Sequence, residues 1–558
     1  MKYETISLSF LALTISAMAV LADAPPPPNP AVDAGLKWPA RREQLKKEWL
    51  KLLGPFPATK PPLDAEILST ETVKLPPSAM NPYAPQCTSS EITRYKVKFR
   101  SETDDCGGTK SDIWIYGWLL VPKTVTDAYE KDGTKSPVVI CLHSTTFGAG
   151  KSSPAGLAAR FASDPKIGYV GRPDLVGVDP RYNNNMPDLN DPKAMADYYA
   201  GGRATGLILA QQGFVTLSID FVTDGDRIEP GQRPLDSRQF YKRYPDPMAD
   251  DAWSLIGKDI WDVMRSVDYL QSLPYVNPKG IGCTGWSWGG HVTLFAAAFD
   301  ERIAAAVPNG GVLDWHRPTY PAGYKGKSKA NVWTRAPGTM VPWTPDGTEK
   351  PSSGAASLRR WGFIQNSGPA ILIPKFYKYV PPESRDLQMP VEFDSLMMMV
   401  APRPLLIISS EIEFRQHRIL PKCMEAIKVY AQWEDVKGSG LPSAFEARKE
   451  RRGYQETLDY YINNNEYDVK GTDLYLKNLK AGDCFSWFSF PGGHSYPIAA
   501  QLLTAGWFGR WMGLYRAAPV PPLPNIPADK ALNIGPLWKG SPTQTKEPAA
   551  AESEESTQ

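Results

Sequence analysis

Near the N-terminus, the spacing of apolar residues first fits a helix and then fits strands. Within Arg41–Leu53 apolar residues recur at intervals of three and four, which predicts an amphipathic helix ending before Gly54-Pro55. Apolar and polar residues alternate in Tyr95–Phe99, and Ile113–Val121 is rich in aromatic and branched residues. These two runs predict two strands.

From Pro137 onward, short and wholly apolar runs alternate with helical stretches. The alternation predicts a mostly parallel sheet with helices on both faces, because strands that are buried on both sides have no polar face. A helix is expected over Asp259–Leu270. The runs assigned to strands are Val138–Leu142, Val215–Ile219, Ile281–Thr284, Ile303–Val307, Leu405–Ile408 and Phe485–Phe490.

The two chain ends and two internal stretches fall outside this alternating pattern. Lys2 precedes an apolar run that is followed by small residues, which is typical of a secretory signal peptide. We therefore expect a secreted or periplasmic protein. The expected organisation is a signal peptide over 1–24, a proline-rich leader over 25–37, one α/β domain over 38–539 with lid-like insertions near 314–399 and 434–482, and a disordered tail over 540–558.

Charge and cysteine content exclude several function classes. The net charge is only +2, and lysine and arginine are scattered, so no nucleic-acid partner is expected. No stable membrane insertion is expected either, since only the N-terminal run approaches the ~18 apolar residues of a spanning helix. The five histidines are far apart and no Cys-x-x-Cys pair occurs, so neither a metal nor a cofactor is expected. Cys87 and Cys106 are the candidates for a disulfide.

The run Gly285–Gly290 carries the strongest chemical signal. It reads Gly-Trp-Ser-Trp-Gly-Gly and stands between the predicted strand Ile281–Thr284 and the helix-forming run His291–Ala298. Between a strand and a helix, a Gly-x-Ser-x-Gly sequence makes the sharp turn that exposes a nucleophilic serine. A serine hydroxyl needs this exposure together with a base and oxyanion donors, because alone it is a poor nucleophile. Ser287 is therefore the predicted nucleophile.

His494 is the predicted general base. In folds with this turn the chain order is nucleophile, acid, histidine, and only His417 and His494 lie well downstream of Ser287. His494 follows two glycines directly after the last predicted strand and precedes the predicted helix Ile498–Met512. A loop at that place can bring the imidazole to the serine.

The acid of the triad is expected just after the strand Leu405–Ile408, where Glu411 and Glu413 both occur. The acid usually lies a few residues past the strand, so Glu413 fits best and Glu411 stays the alternative. Its task is to hold the imidazole tautomer and to stabilise the imidazolium.

The oxyanion donors are expected to be backbone N–H groups at two places. One is that of Trp288, directly after the nucleophile, and the other lies in the loop after Val138–Leu142, where we favour Thr145. His143 in the same loop is expected to be structural. The following Gly148–Ser152 is similar to a phosphate-binding loop but lacks its first glycine, so nucleotide binding is not predicted.

Taken together, these motifs resemble those of secreted bacterial α/β-hydrolases of the acetyl xylan esterase-like and dienelactone hydrolase-like group. The resemblance implies the α/β-hydrolase fold and action on acyl groups, such as acetyl esters of plant polysaccharides. Ser144 stands where that group usually has glycine, and the acid is glutamate rather than aspartate. Beside the serine motif, the resemblance rests on Leu53–Pro57, Gly117–Pro122, Ala401–Pro404 and Gly492–His494.

Ester hydrolysis through an acyl-enzyme is the predicted function, with a small-molecule or polysaccharide ester as substrate. A serine peptidase is the alternative, because the string around Ser287 is similar to the elbow of prolyl oligopeptidase-like enzymes. Those enzymes usually carry a β-propeller ahead of the catalytic domain, and no blade repeats precede Val138. A third interpretation is a non-catalytic binding protein on a hydrolase scaffold.

Overall fold

The computed structural model describes the parts of the chain that build the sheet and most of its covering helices. The described residues are 40–74, 89–103, 114–144, 150–156, 204–228, 240, 249–313, 375, 390–410, 413–414, 417–430, 485–490, 496 and 498–512. The predicted signal peptide, leader, tail and second insertion, and both Cys87 and Cys106, lie outside them.

The described strands form one sheet, and helices follow several of them. The strands are β1 (Glu66–Lys74), β2 (Glu91–Arg100), β3 (Trp114–Pro122), β4 (Ser136–Leu142), β5 (Val215–Ile219), β6 (Val276–Trp286), β7 (Ile303–Asn309), β8 (Leu405–Ser410) and β9 (Phe485–Phe490). The helices are α1 (Ala40–Leu53), α2 (Lys123–Asp132), α3 (Thr205–Gln211), α4 (Leu255–Gln271), α5 (Trp288–Phe299), α6 (Phe393–Val400), α7 (Ile419–Tyr430) and α8 (Ile498–Met512).

The sheet is mostly parallel, as the sequence predicts. Its order is β1-β2-β3-β5-β4-β6-β7-β8-β9. Antiparallel pairing joins β1, β2, β3 and β5, and every pair from β5 through β4 to β9 is parallel. The carboxyl ends of β4 to β9 therefore share one edge, which is where open α/β sheets bind ligands. This arrangement confirms the predicted α/β-hydrolase fold class.

The core between the sheet and its helices depends on close backbone approach. A Cβ at Gly282 in β6 would lie 2.7 Å from the Cε1 atom of Phe508 in α8, so the glycine lets that helix pack directly on the strand. On α5, Phe295 is fully buried and forms an edge-to-face pair with Trp49 of α1 at 5.0 Å. The N-terminal helix is thus part of the same core.

The Leu53–Pro57 segment packs closely against the residues that precede α4, and this packing requires glycine at position 54. Gly54 has a φ of +88°, and a Cβ there would lie 2.4 Å from the carbonyl oxygen of Ala252. The N–H of Ser254 donates to the carbonyl of Leu53 at 2.8 Å, and Ser254 in turn caps α4 by accepting from the N–H of Gly257. The segment therefore positions the start of α4.

Several elements were not predicted from the sequence, and two of them show why. β1 was not anticipated because it lies mostly exposed, with Ile67 at 62% exposure, and so shows no alternating pattern. The helix α6 overlaps the end of the segment 314–399, which was assigned to an insertion. All its residues are buried, and its eight residues are fewer than the window over which a helical period is recognised.

No helix in the described part of the chain is long and apolar enough to cross a membrane.

Candidate active site

Ser287 occupies the turn between β6 and α5. Its φ and ψ are 60° and −117°, a backbone conformation that L-residues rarely adopt and that is tolerated where a fold enforces it. The side chain is half-buried. This turn places the hydroxyl at the carboxyl edge of the sheet, as the nucleophile elbow requires.

Three glycines make this turn sterically possible. A Cβ at Gly289 would lie 2.4 Å from the carbonyl oxygen of Leu142, and one at Gly290 would lie 2.4 Å from that of Asn309. A Cβ at Gly285 would lie 2.5 Å from the backbone of Gly289. Real Cβ atoms do not approach so closely, so the elbow sits against the ends of both β4 and β7 only because these positions are glycine.

Two backbone N–H groups at the elbow have different places in the structure. The N–H of Ser287 donates to the carbonyl of Asn309 at 2.9 Å, which anchors the elbow to β7. Trp288 is the first residue of α5, so its N–H lies in the first turn of the helix, whose donors point out of the helix end. The helix dipole also favours negative charge at this end. An oxyanion beside Ser287 would therefore meet a favourable field.

Glu413 lies just past the end of β8, at the same sheet edge as Ser287. Its side chain is 8% exposed. Three donors converge on its Oε2 atom: the Oγ of Ser409 at 2.5 Å, and the N–H and Oγ of Ser410, both at 3.2 Å. These bonds fix the position of the Glu413 carboxylate at the carboxyl end of β8.

The other predicted catalytic groups fall outside the described residues. These are His494, Thr145 and the alternative acid Glu411. β9 ends at Phe490 on the elbow's edge of the sheet, and α8 begins at Ile498, so the flanking elements lie where the sequence analysis expects them. The roles of these three residues stay predictions.

His143 has both ring nitrogens engaged by the backbone. Its Nε2 accepts from the N–H of Phe221 at 3.1 Å, and its Nδ1 lies 2.6 Å from the carbonyl oxygen of Ser144. The two bonds agree on one tautomer, with the proton on Nδ1. A buried imidazole bonded in this way links β4 to the end of β5, which fits the structural role expected for it.

A buried ion cluster lies beside this histidine, and the sequence analysis did not foresee it. Lys151 is 1% exposed, and its Nζ donates to Asp220 at 2.5 Å and to Asp226 at 2.8 Å. Lys96 of β2 also pairs with Asp226, at 2.8 Å. Burial alone would lower the pKa of Lys151, but the two carboxylates raise that pKa above its usual value. The sequence feature that could have indicated this cluster is Lys151 in Gly148–Ser152. The sequence analysis considered this run only as a phosphate-binding loop.

A second buried cluster lies on α4. Asp262 is bound by Arg227 at 2.6 Å and by Lys258 at 2.5 Å. Burial would raise the pKa of Asp262, but these two cations hold it below its usual value. Asp259, one helical turn away, has its pKa raised well above the usual range by burial and by the charge of Asp262. Among the described residues, its Oδ2 has no hydrogen-bond partner.

The described residues contain no group of three His, Cys, Asp or Glu side chains arranged to hold a metal ion.

The elbow is similar to that of a known family. Residues 254–323 match the model of the Prolyl oligopeptidase family. The matched segment contains α4, β6, Ser287, α5 and β7. The similarity therefore covers the elbow and its neighbouring strands.

Two curated proteins are similar to short stretches of the chain. A 4-O-methyl-glucuronoyl methylesterase from Cerrena unicolor is 39% identical over 67 residues, which cover 11% of this chain and 14% of that protein. An uncharacterized peptidase from Bacillus subtilis, YuxL, is 38% identical over 60 residues, covering 11% of this chain and 9% of that one. The chain thus matches only a small part of the length of either relative.

Two solved structures illustrate the wider similarity. A glucuronoyl esterase from Solibacter usitatus has a TM-score of 0.46 and 15% identity, covering 85% of this chain and 92% of that one. An acetyl xylan esterase from Paenibacillus has a TM-score of 0.33 and 15% identity, covering 73% and 90% of the two chains.

Proposed function

We propose that this chain is a serine hydrolase that cleaves carboxylic esters through an acyl-enzyme. The observation that carries the proposal is the backbone of Ser287. A positive φ at a serine between a parallel strand and a buried helix costs about 1–3 kcal/mol. A fold that retains such a conformation at the ligand-binding edge of its sheet uses it to expose the hydroxyl.

We assign each catalytic role from the order of the residues along the chain. His494 removes the proton from the Ser287 hydroxyl as the oxygen attacks the ester carbonyl. The N–H groups of Trp288 and Thr145 bind the oxyanion that forms, and collapse of this intermediate expels the alcohol after His494 has protonated it. Glu413 holds the imidazole and stabilises its cation. Water then attacks the acyl-enzyme by the same steps and releases the acid.

Carbohydrate esters are the substrate class we propose. The support is the similarity of the elbow region to a 4-O-methyl-glucuronoyl methylesterase, together with the resemblance of the motifs to acetyl xylan esterase-like hydrolases. Both kinds of enzyme cleave an ester bond on a sugar. The chemistry of the triad is the same for either ester, so the substrate pocket must make the choice.

Peptide cleavage is the second candidate. A match of residues 254–323 to the Prolyl oligopeptidase family favours it, because the same elbow and oxyanion geometry serve amide hydrolysis. Amides have a poorer leaving group, so a peptidase also hydrolyses activated esters, whereas an esterase does not in general cleave peptides. Amide turnover is therefore the discriminating property.

The first experiment compares the wild type with Ser287→Ala for p-nitrophenyl acetate turnover and fluorophosphonate labelling. We expect the variant to lose the label and to lose turnover by at least about 10³-fold, since the nucleophile is the centre of the triad. Equal turnover by both proteins would disprove the assignment of Ser287. A wild type that neither labels nor turns over ester would leave a binding protein on a hydrolase scaffold.

A substrate panel then separates the candidates. It contains acetylated xylan, a methyl ester of 4-O-methyl-glucuronic acid and a proline-containing peptide p-nitroanilide. Release of acetate or methanol without p-nitroaniline supports carbohydrate esters. Faster cleavage of the anilide than of either sugar ester moves the assignment to a peptidase.

Export is part of the proposal. The apolar run that follows Lys2 and the small residues after it have the composition of a signal peptide. N-terminal sequencing of the protein from a secreting host is expected to begin near residue 25. A cell-associated product that retains Met1 would contradict export.

A further inference from the structure

The side chain of Trp288 lies behind the elbow, in contact with two other rings. Its residue is 3% exposed, so the indole packs in the protein interior rather than facing a substrate. The indole meets Phe221 edge to face with ring centroids 6.1 Å apart, and it meets His291 of the same helix at an equal distance. Aromatic rings prefer this geometry. The residue that follows the nucleophile is therefore held through its side chain.

Phe221 is itself fixed by the end of β4. It is the second residue after β5 and is 1% exposed. Its backbone N–H donates to the Nε2 of His143 at 3.1 Å, and its ring centroid lies 4.4 Å from that of the imidazole. His143 directly follows β4. Phe221 thus packs against the indole of Trp288 and is bound to the end of β4.

The same end of β4 also contacts the backbone of α5. A Cβ at Gly289 would lie 2.4 Å from the carbonyl oxygen of Leu142 and 2.8 Å from that of His143. The contacts therefore form a closed set, in which the start of α5 lies on β4, His143 binds Phe221, and Phe221 packs on Trp288. Because protein interiors are close-packed, the members of such a set do not shift independently.

The turn that presents Phe221 has a strained backbone. Thr223 has a φ of 68° and is 2% exposed, and a β-branched residue adopts this conformation only where the surrounding structure enforces it. The N–H of Val222 donates to the buried Oδ1 of Asp259 in α4 at 3.3 Å, which holds the turn from its other side. Backbone strain of this kind concentrates at functional sites. The side chain that this turn places against the elbow is therefore a candidate for a functional role.

We infer that Phe221 is a positioning residue for oxyanion stabilisation, acting through the side chain of Trp288. The inference rests on the proposed function. Trp288 is the first helical residue after a serine whose φ is 60°, so the direction of its N–H depends on a strained backbone that relaxes unless it is held. The ring of Phe221 opposes this relaxation because it fills the space beside the indole. Since Phe221 is buried, it acts on the donor and not on the substrate.

The test replaces one buried phenylalanine at a time in the full-length protein. Phe221→Leu removes the ring and leaves space beside the indole. Phe295→Leu is the matched control, because Phe295 is fully buried on α5 and meets Trp49 edge to face at 5.0 Å, about two helical turns beyond Trp288. Phe221→Met is the second variant, since the flexible methionine fills irregular space without restoring the ring. Thermal melting identifies which variants fold.

Two measurements separate positioning from stability. The first is kcat and KM for p-nitrophenyl acetate. The second is the inhibition constant of a trifluoromethyl ketone, whose adduct with serine carries an oxyanion. A displaced donor weakens the adduct and the transition state together, while a merely destabilised but folded enzyme keeps both.

We expect kcat/KM of Phe221→Leu to fall by about 10- to 100-fold, with the inhibition constant of the ketone rising by a similar factor. Phe221→Met is expected to change both quantities in the same direction and by less. Phe295→Leu is expected to lower the melting temperature and to keep both quantities within about threefold of the wild type. If Phe221→Leu does not fold, Phe221→Met decides.

Wild-type values in the deciding Phe221 variant would overturn the inference, as would an equal loss in Phe295→Leu. Failure of both Phe221 variants to fold while Phe295→Leu folds would overturn it too, because Phe221 would then serve stability alone. Failure of the proposed function has a different signature. In that case the wild type itself shows no ester turnover that depends on Ser287.

Discussion

Backbone geometry at single residues decides what the elbow can do. Ser287 takes a strained backbone conformation. Carbonyl groups of neighbouring elements lie so close to the surrounding glycines that no Cβ would fit there. Ser409 and Ser410 donate to the carboxylate of Glu413. At this scale backbone fit determines the exposure of Ser287, and hydrogen bonding determines the orientation of Glu413.

Gly289→Ala is expected to lower both turnover and stability. Its new Cβ would lie 2.4 Å from the carbonyl oxygen of Leu142, so the elbow and the end of β4 must separate. A shift of about 1 Å at this place is expected to reduce kcat/KM about 100-fold. Gly133→Ala is the matched control. Gly133 has a φ of +75° but nothing within 4 Å of its Cβ position, so we expect only about 1–2 kcal/mol of destabilisation there. Equal kcat/KM in both variants would contradict the role of Gly289.

Glu413→Gln tests the acid. The amide cannot stabilise an imidazolium and favours the wrong tautomer, so we expect kcat to fall by about 10²- to 10⁴-fold with little change in KM. Glu411→Gln is the control and is expected to keep kcat near the wild-type value. A reversed pattern would transfer the role to Glu411.

Elements are held at their ends by side chains that satisfy backbone groups. Arg403, in the Ala401–Pro404 motif, donates to the carbonyls of Ala297, Asp300 and Ile303 at 2.6, 3.0 and 2.7 Å. It thereby caps the C-terminal end of α5, the helix that begins at the elbow. A cation is also favoured at this end of a helix by the helix dipole. The motif thus links the start of β8 to α5.

Arg403→Met is expected to destabilise the protein by about 3–5 kcal/mol, because several buried carbonyls lose their donors. Burial lowers the pKa of Arg403 to about 10, which leaves it charged at neutral pH. The matched control is Lys428→Met, which breaks a surface pair with Glu425 and is expected to cost no more than about 1 kcal/mol. Urea denaturation measures both. A cost below that of the control would disprove this role for Arg403.

Across the whole molecule, buried charges make stability depend on pH. Asp262 has a lowered pKa because Arg227 and Lys258 offset the cost of its burial. Its contribution is present above the unfolded pKa of about 3.9 and is lost as pH falls through the folded value. Asp259 has the opposite sign, since its raised pKa means that folding favours the protonated acid. Its ionisation therefore opposes folding increasingly as pH rises above about 3.9.

Substitution of each aspartate by asparagine is expected to change the pH dependence of stability in opposite directions. Asp262→Asn leaves Arg227 and Lys258 without their carboxylate, so we expect about 3–5 kcal/mol of destabilisation at pH 7, with the difference from the wild type shrinking toward pH 3. For Asp259→Asn, the melting temperature relative to the wild type is expected to rise as pH increases from about 4 to 7. Thermal melts across this range measure both. A pH-independent difference in either variant would contradict the corresponding assignment.

What the sequence alone determined is the order and type of the main elements. The strands β5 and β9 and the helix α8 have the predicted bounds. Buried strands and strongly apolar helices appear in the sequence as continuous runs of apolar residues, so they can be predicted locally. The elbow was found for the same reason. Its chemistry requires glycines at fixed spacing from Ser287, and a fixed spacing is visible in a linear sequence.

Only the tertiary structure decided which distant residues meet. The pairing of Lys151 with Asp220 joins positions 69 residues apart, and nothing in either neighbourhood marks them as partners. The strand β1 escaped prediction because it has no buried face, and the helix α6 escaped because its eight residues are too few to establish a helical period. Patterns along the chain depend on the neighbours of each residue in sequence, whereas contacts between remote side chains arise only when the whole chain has folded.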